Sequence, residues 1–309
     1  MIPLDPHFLR GSYTPLITPF RNGEVNYPKF AELVDRQVRE GSHGVVVTGT
    51  SGEPSSLTID ERARLISLAV QTVQRRIPVV AATGSQSLAE TVDLTVQAEK
   101  AGADALLVVT PYYIKPPQAG LVEYFVEIGR RTTLPLMIYH IPGRAAVSVT
   151  SATVARIGER TPNLVGMKHA VNDLEFLTEV LARMGPDFRI FCGLEALSLP
   201  MLCVGAAGLM NAVGNLVPNQ VAALCNAVEQ KDLDAARQKH FELFELNQAI
   251  FFDTNPIPLK YMMARLGLIE TPEVRLPLVP LDRERGKPLD DVLRRAELLP
   301  VMTSAATKD

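Results

Sequence analysis

A closed (β/α)8 TIM barrel followed by a C-terminal helical appendage is the fold this sequence predicts, on three observations. From Tyr13 onward, short apolar runs of strand length alternate with amphipathic stretches of helical length, the pattern of βα units and a parallel sheet. Eight such units fit before about residue 230 without a long interruption, which favours a closed barrel over a doubly wound sheet. Beyond Pro218 the strand pattern stops and helical patterns continue. At 309 residues the chain exceeds the roughly 250 of a simple barrel, so residues 1–230 are assigned to the barrel and 231–309 to a helical region.

The strands are expected at 13–17, 44–48, 78–83, 105–110, 136–140, 164–168, 189–192 and 208–212. Helices are expected between them at 27–40, 60–74, 87–101, 121–132, 150–160, 174–184 and 196–204. Asp60 and Glu61 stand at the head of one, and Ser87 is followed three residues on by Glu90, a capping-box spacing. Helices at 221–229, 233–250, 258–266 and 288–298 complete the chain, and 303–309 is expected to fray.

Composition bounds the function. A hydrophobic fraction of 47% with 21% charged residues suits a soluble globular enzyme with a large core. A net charge of -3 and the lack of any Lys/Arg-rich run give no face for a phosphate backbone, so nucleic acid is not an expected partner. Cys192, Cys203 and Cys225 make neither a metal knuckle nor a redox pair and read as small core residues in a reducing compartment. The first residues carry Asp5, Pro6, His7 and Arg10 in place of an apolar core, and the longest weakly polar run, 197–210, is broken by Pro200, Gly205 and Gly208. A cytoplasmic protein with no membrane partner is expected.

In a barrel, chemistry gathers at the C-terminal ends of the strands and the loops after them. The sixth strand closes on Lys168, and strict alternation would place Leu164, Gly166 and Lys168 on one side and Val165 and Met167 on the other. A desolvated lysine becomes a free amine able to form a Schiff base with a carbonyl compound; a lysine closing a strand is also an ordinary solvated end residue. Gly49-Thr50-Ser51-Gly52-Glu53 after the second strand can offer hydroxyl and backbone donors to a carboxylate, or be simply a turn. Tyr112 and Tyr113 follow the fourth strand; Tyr139 and Arg144 end the fifth. A tyrosine there can relay protons and an arginine can clamp a carboxylate, although packed aromatics and a surface ion pair explain them equally. His140 and His169 directly follow Tyr139 and Lys168, and alternation turns both away from the barrel axis. No His-Glu-x-x-His pattern or cluster of three likely ligands is present, which argues against metal-dependent chemistry.

Taken together, Gly49-Thr50-Ser51-Gly52-Glu53, Pro111-Tyr112-Tyr113, Tyr139 with Pro142 and Arg144, Gly166-Met167-Lys168 and Asn255-Pro256-Ile257-Pro258-Leu259-Lys260 resemble the dihydrodipicolinate synthase / N-acetylneuraminate lyase family in order and spacing, over about Gly11 to Leu268. The resemblance implies a class I aldolase on a (β/α)8 barrel, working without metal or cofactor. It implies that Lys168 forms the Schiff base with pyruvate, that Thr50 and Ser51 hold the pyruvate carboxylate, and that Tyr139 shuttles protons through Thr50. It further implies that Tyr113 completes the relay in a neighbouring subunit of a homo-oligomer, a dimer or tetramer. Met210, on the eighth strand, is expected to line the substrate site. Arg144 matches the arginine that grips the carboxylate of aspartate semialdehyde, the expected second substrate.

Some positions depart from the synthase pattern. Ser51 replaces a threonine, Ala145-Ala146 a Thr-Gly pair, and Cys192-Gly193-Leu194-Glu195 a Ser-Gly-Asp-Asp-like segment. These changes suit a relative acting on a 2-keto-3-deoxy sugar acid or another 2-keto acid, the alternative reaction. A barrel that binds a keto acid without turning it over is the alternative of another class, which the Lys168, Tyr139 and Thr50 set argues against. Pro54, Ile59, Arg62 and Gln86 stand where lysine-sensitive members carry Ser, His, His and Asn, which predicts no useful inhibition by lysine.

Overall fold

The protein, seen in a computed structural model, is described here over residues 1–300; the tail at 303–309 lies outside the described residues. Eight parallel strands close on themselves: β1 (Gly11–Pro15), β2 (Gly44–Val47), β3 (Val79–Ala82), β4 (Ala105–Val109), β5 (Leu136–His140), β6 (Leu164–His169), β7 (Arg189–Cys192) and β8 (Gly208–Leu209). Each pairs with the next, and β8 returns to β1 through Gly11↔Gly208. The surrounding helices are α1 (Tyr27–Arg39), α2 (Ile59–Val73), α3 (Leu88–Ala101), α4 (Gln118–Gly129), α5 (Ser151–Arg160), α6 (Leu174–Met184), α7 (Ser198–Val204) and α8 (Pro218–Glu229). Four more follow: α9 (Leu233–Glu242), α10 (Phe244–Ala249), α11 (Ile257–Arg265) and α12 (Arg283–Arg295). Among the described residues no helix is long and apolar enough to cross a membrane.

Several boundaries differ from expectation for local reasons. The cap of α2 is Thr58, not Asp60, because its hydroxyl and the Glu61 carboxylate complete a reciprocal capping box. The last strand stops at Leu209, and Ala212–Asn215 turns as a 3-10 segment. The helix expected at 233–250 is two helices that meet at Leu243. The final helix starts five residues before Pro288, where the Asp282 side chain caps the Arg285 amide. An antiparallel pair, Phe20–Arg21 with Glu24–Val25, was not expected; Asn22 and Gly23, at φ 54° and 81°, form its turn.

Side chains sort by strand parity into an inner and an outer core. Val46, Val80, Leu107, Met137, Tyr139 and Phe191 fill the barrel, while their neighbours Val45, Val79, Leu106, Ile138 and Ile190 pack against the helices. Leu9, with Ile2, Leu4 and Phe8 beside it, packs against the inner cluster, and Arg189 reaches from β7 to the Phe8 carbonyl at 3.3 Å. The N-terminal segment thus plugs the end opposite the strand C-termini.

Strand β6 breaks the parity and corrects the alternation expected for it. Leu164 belongs to the outer core and Val165 to the inner, yet Met167 is outer again. The pairing with β5 explains this: Leu136 faces Leu164 but Met137 faces Gly166, so Val165 is an extra residue, a β-bulge. Gly166 suits the irregular site because a Cβ there would lie 2.2 Å from the Arg189 carbonyl oxygen. After the bulge Lys168 turns inward and His169 outward.

His140 and His169 therefore meet behind the strands, with Nδ1 atoms 3.1 Å apart and both rings against Phe176 of α6. His169 Nε2 lies 3.1 Å from the Asp173 carbonyl oxygen, which makes that nitrogen the donor. Its Nδ1 then accepts from His140. Burial, reinforced by the neighbouring His169, lowers the His140 pKa from 6.5 to about 4. Between those values the unfolded chain holds a proton that the folded chain does not, so stability rises with pH across that window. Melting midpoints from pH 4 to 7 are expected to climb, with His140 alone contributing on the order of 3 kcal/mol; in His140→Leu the climb flattens.

Candidate active site

The loop after β2 sets out the first groups. It enters on Thr48 at φ 57° and leaves on Glu53 at φ 55°, both in the left-handed region that a β-branched or long side chain avoids. Between them Thr50–Gly52 forms one 3-10 turn, with the Gly52 amide bonded to the Gly49 carbonyl at 2.8 Å. Two ties flank the turn: the Thr48 hydroxyl donates to the Ala82 carbonyl at 2.9 Å, and the Thr18 hydroxyl to the Gly52 carbonyl at 2.8 Å.

This turn brings the Thr50 hydroxyl to 3.2 Å from the Tyr139 hydroxyl. Tyr139 pairs in register with Lys168 across β5 and β6, and the Lys168 Nζ lies 4.6 Å from the centroid of the Tyr139 ring. Lys168 is only 6% exposed, so the amine is sheltered from bulk water. The neighbouring strand makes room for it, since a Cβ on Gly193 would stand 2.6 Å from Lys168 Cε. Beyond Gly193, Glu195 is fully enclosed; burial raises its pKa, and one oxygen accepts from the Ala212 amide at 2.7 Å. Burial also pushes the Cys192 thiol up to about 12, which leaves it unreactive.

A cleft of about 520 Å³ is lined by Thr50, Glu53, Tyr112, Tyr139, Arg144 and Asn255 among others, and reaches the lysine's neighbours Tyr139 and Thr50 but not Lys168 or Ser51 themselves. Arg144 sits on a single helical turn, Pro142–Ala145, at the exposed rim, and its guanidinium donates to the Asn255 carbonyl at 3.2 Å. The Asn255 amide donates to the Ser51 hydroxyl at 3.0 Å. One residue of the post-barrel segment thus joins both carboxylate-gripping candidates. The structure does not bring Tyr113 to this cluster: it is 83% exposed, on a backbone at φ 72°. Met210 is buried in the inner core, just after β8, and does not line the cleft. Among the described residues no group of three or more His, Cys, Asp or Glu is placed to hold a metal ion.

Residues 8–296 match the model of the dihydrodipicolinate synthetase family. The chain belongs to that family. Membership makes it a class I, Schiff-base, pyruvate-dependent aldolase, a carbon-carbon lyase. It is 46% identical over 298 residues to a 4-hydroxy-tetrahydrodipicolinate synthase of Thermus thermophilus, covering 96% of this chain and 99% of that one. Among solved structures it superposes on dihydrodipicolinate synthase from Aquifex aeolicus with a TM-score of 0.92 at 36% identity, covering 95% of this chain and 100% of that one. The 4-hydroxy-tetrahydrodipicolinate synthase of Methylacidiphilum fumariolicum SolV gives 0.91 at 37% identity, covering 93% and 96%.

Within this dihydrodipicolinate synthetase site, Glu53 and Asn255 went unassigned from sequence, although both stand inside the motifs that carry the resemblance. Their contacts span some 200 positions of chain, and spacing along the sequence cannot report them. Gly193→Ala tests the space reserved for the lysine. Its methyl forces the Lys168 stem aside, so turnover is expected to fall by about ten-fold or more, while circular dichroism and the melting midpoint stay near those of the parent protein.

Proposed function

We propose that the protein is a 4-hydroxy-tetrahydrodipicolinate synthase that condenses pyruvate with aspartate semialdehyde through a Schiff base on Lys168. The observation that carries this reading is the chain of contacts from the Lys168 amine over the Tyr139 ring to the Tyr139 hydroxyl and on to Thr50. The names of the similar proteins support the same reaction.

The free amine attacks the keto carbon of pyruvate, and the carbinolamine loses its oxygen as water to give the imine. Tyr139 delivers the proton that lets this oxygen leave, with Thr50 as the next station of the relay. The imine nitrogen draws electrons from the adjacent methyl carbon. A methyl proton passes to the Tyr139–Thr50 relay to give an enamine, whose carbon attacks the aldehyde; the aldehyde oxygen takes up a proton, and breaking the imine link frees Lys168. Thr50 and Ser51 hold the pyruvate carboxylate through hydroxyl and backbone donors. Arg144, aimed by Asn255, meets the carboxylate of the second substrate in bidentate fashion.

Tyr113 on its exposed loop serves the site of a second copy, so the working form is a homo-oligomer, in the cytoplasm. The competing assignment, a 2-keto-3-deoxy acid, draws on Leu194 and Glu195, which leave that wall without an exposed carboxylate; only the synthase consumes pyruvate together with aspartate semialdehyde.

Mass spectrometry after pyruvate and borohydride is expected to show one reduced pyruvate on the intact chain and none on Lys168→Ala; an unmodified parent chain would sink the reading. Tyr139→Phe should lower turnover by about 100-fold, the scale of a lost proton relay. Lysine is expected not to inhibit. Arg62 is 5% exposed, donates to the Ala82 carbonyl at 3.0 Å and faces Glu90 at 3.7 Å, so a fixed cation already fills the place of a bound one. Saturable inhibition by lysine would contradict this.

A further inference from the structure

We infer that the buried Glu53–Lys260 ion pair is a positioning device that holds the Thr50–Ser51 turn in the geometry able to grip the pyruvate carboxylate. The inference rests on the function proposed above and adds two residues that act through the turn, not on the lysine that attacks pyruvate.

The pair joins parts of the chain 207 positions apart by residue number, from 53 to 260. Glu53 is the left-handed residue that ends the hydroxyl turn, and Lys260 lies on α11 beyond the barrel. Both are enclosed: Lys260 is 0% and Glu53 5% exposed. Lys260 Nζ pairs with one Glu53 oxygen and donates to the Glu273 carbonyl at 2.8 Å, and it stands 4.1 Å over the Phe20 ring. The other Glu53 oxygen accepts from the Arg275 amide at 3.2 Å. The Arg275 side chain locks the next turn, donating to the Ser56 carbonyl at 3.0 Å and to both oxygens of Glu61 at 2.7 Å.

Burying this pair is costly. Burial lowers the Lys260 pKa to about 8 and raises that of Glu53, while each partner's charge works against the other's shift. A pair of apolar residues at such a site is often as stable or more so. What the pair supplies that apolar contact does not is direction. A left-handed backbone on a non-glycine residue persists only where its surroundings fix it, and here the fixing contact acts on the residue next to Gly52 and two beyond Ser51. With the pair broken, the exit of the turn is free to relax, and the Thr50 and Ser51 hydroxyls lose their common aim.

Three variants test this: Lys260→Met, Glu53→Asp and the double variant Glu53→Gln/Lys260→Met. In Lys260→Met and Glu53→Asp the KM for pyruvate is expected to rise about ten-fold or more while kcat stays within about three-fold. Lys260→Met leaves a lone buried carboxylate and lowers the melting midpoint; the double variant removes the lone charge and restores it. The decisive reading is the KM of the double variant. It stays high if the pair positions the turn, and it returns to the parent value together with the melting midpoint if the pair only stabilises the fold, which would overturn the inference. Glu53→Asp keeps both charges and so reports even if Lys260→Met fails to fold; an unchanged KM there also overturns it. Failure of the parent protein to form a borohydride-trapped pyruvate adduct is a separate result, against the proposed function itself.

Discussion

One inserted residue decides where Lys168, the proposed nucleophile, points. Parallel pairing in a barrel fixes which side chains share a face, and it does so over the whole strand. With Leu164 on the outer face, unbroken alternation would turn Lys168 toward the helices and His169 toward the axis. The extra residue at Val165 reverses the parity once, so the lysine enters the barrel beside Tyr139 and the histidine leaves it to meet His140. The in-register pair Tyr139↔Lys168 and the outward pair His140↔His169 are two consequences of the same bulge. A stacked imidazole pair against Phe176 then backs the two residues proposed to do the chemistry.

The bulge explains why only part of the site was legible in the sequence. The eight strands and their order could be read because each is a short apolar run bounded by turn residues, and the helices because their apolar faces recur at helical spacing. The inward direction of Lys168 could not be derived that way. Counting from Leu164 by twos gave the same side for Leu164, Gly166 and Lys168, whereas Leu164 lies in the outer core. The short pair at Phe20 and Val25 carried a visible Asn22-Gly23 signal, but two-residue strands fall below the length at which alternation says anything. Met210 was expected to line the substrate site; it lies in the inner core instead.

Contacts between distant segments were the least legible. The stretch Asn255 to Lys260 reads as a helix start set by two prolines, and α11 does begin there at Ile257. Nothing in that pattern reports that Asn255, just ahead of the helix, reaches Ser51 and Arg144, or that the helix's fourth residue reaches Glu53. Both facts follow from the close packing of the post-barrel segment over the β2 loop, which a one-dimensional period does not contain.

This packing gives the appendage a reason to exist beyond bulk. A barrel presents its catalytic groups on loops, and loops are the least constrained parts of a fold. The hydroxyl turn here departs from the relaxed backbone at both ends, so its shape has to be imposed from outside. The barrel side supplies three ties, from Thr48 to the Ala82 carbonyl, from Thr18 to the Gly52 carbonyl and between the Thr50 and Tyr139 hydroxyls. The segment from Asn255 to Arg275 supplies those at the Ser51 hydroxyl and the Glu53 carboxylate, and it also aims Arg144. Ser51 and Arg144, each assigned to one of the two carboxylates of the proposed reaction, are therefore tied to one element. A shift of that element would move both grips together, whereas Lys168 and Tyr139, fixed in adjacent strands, would stay in place.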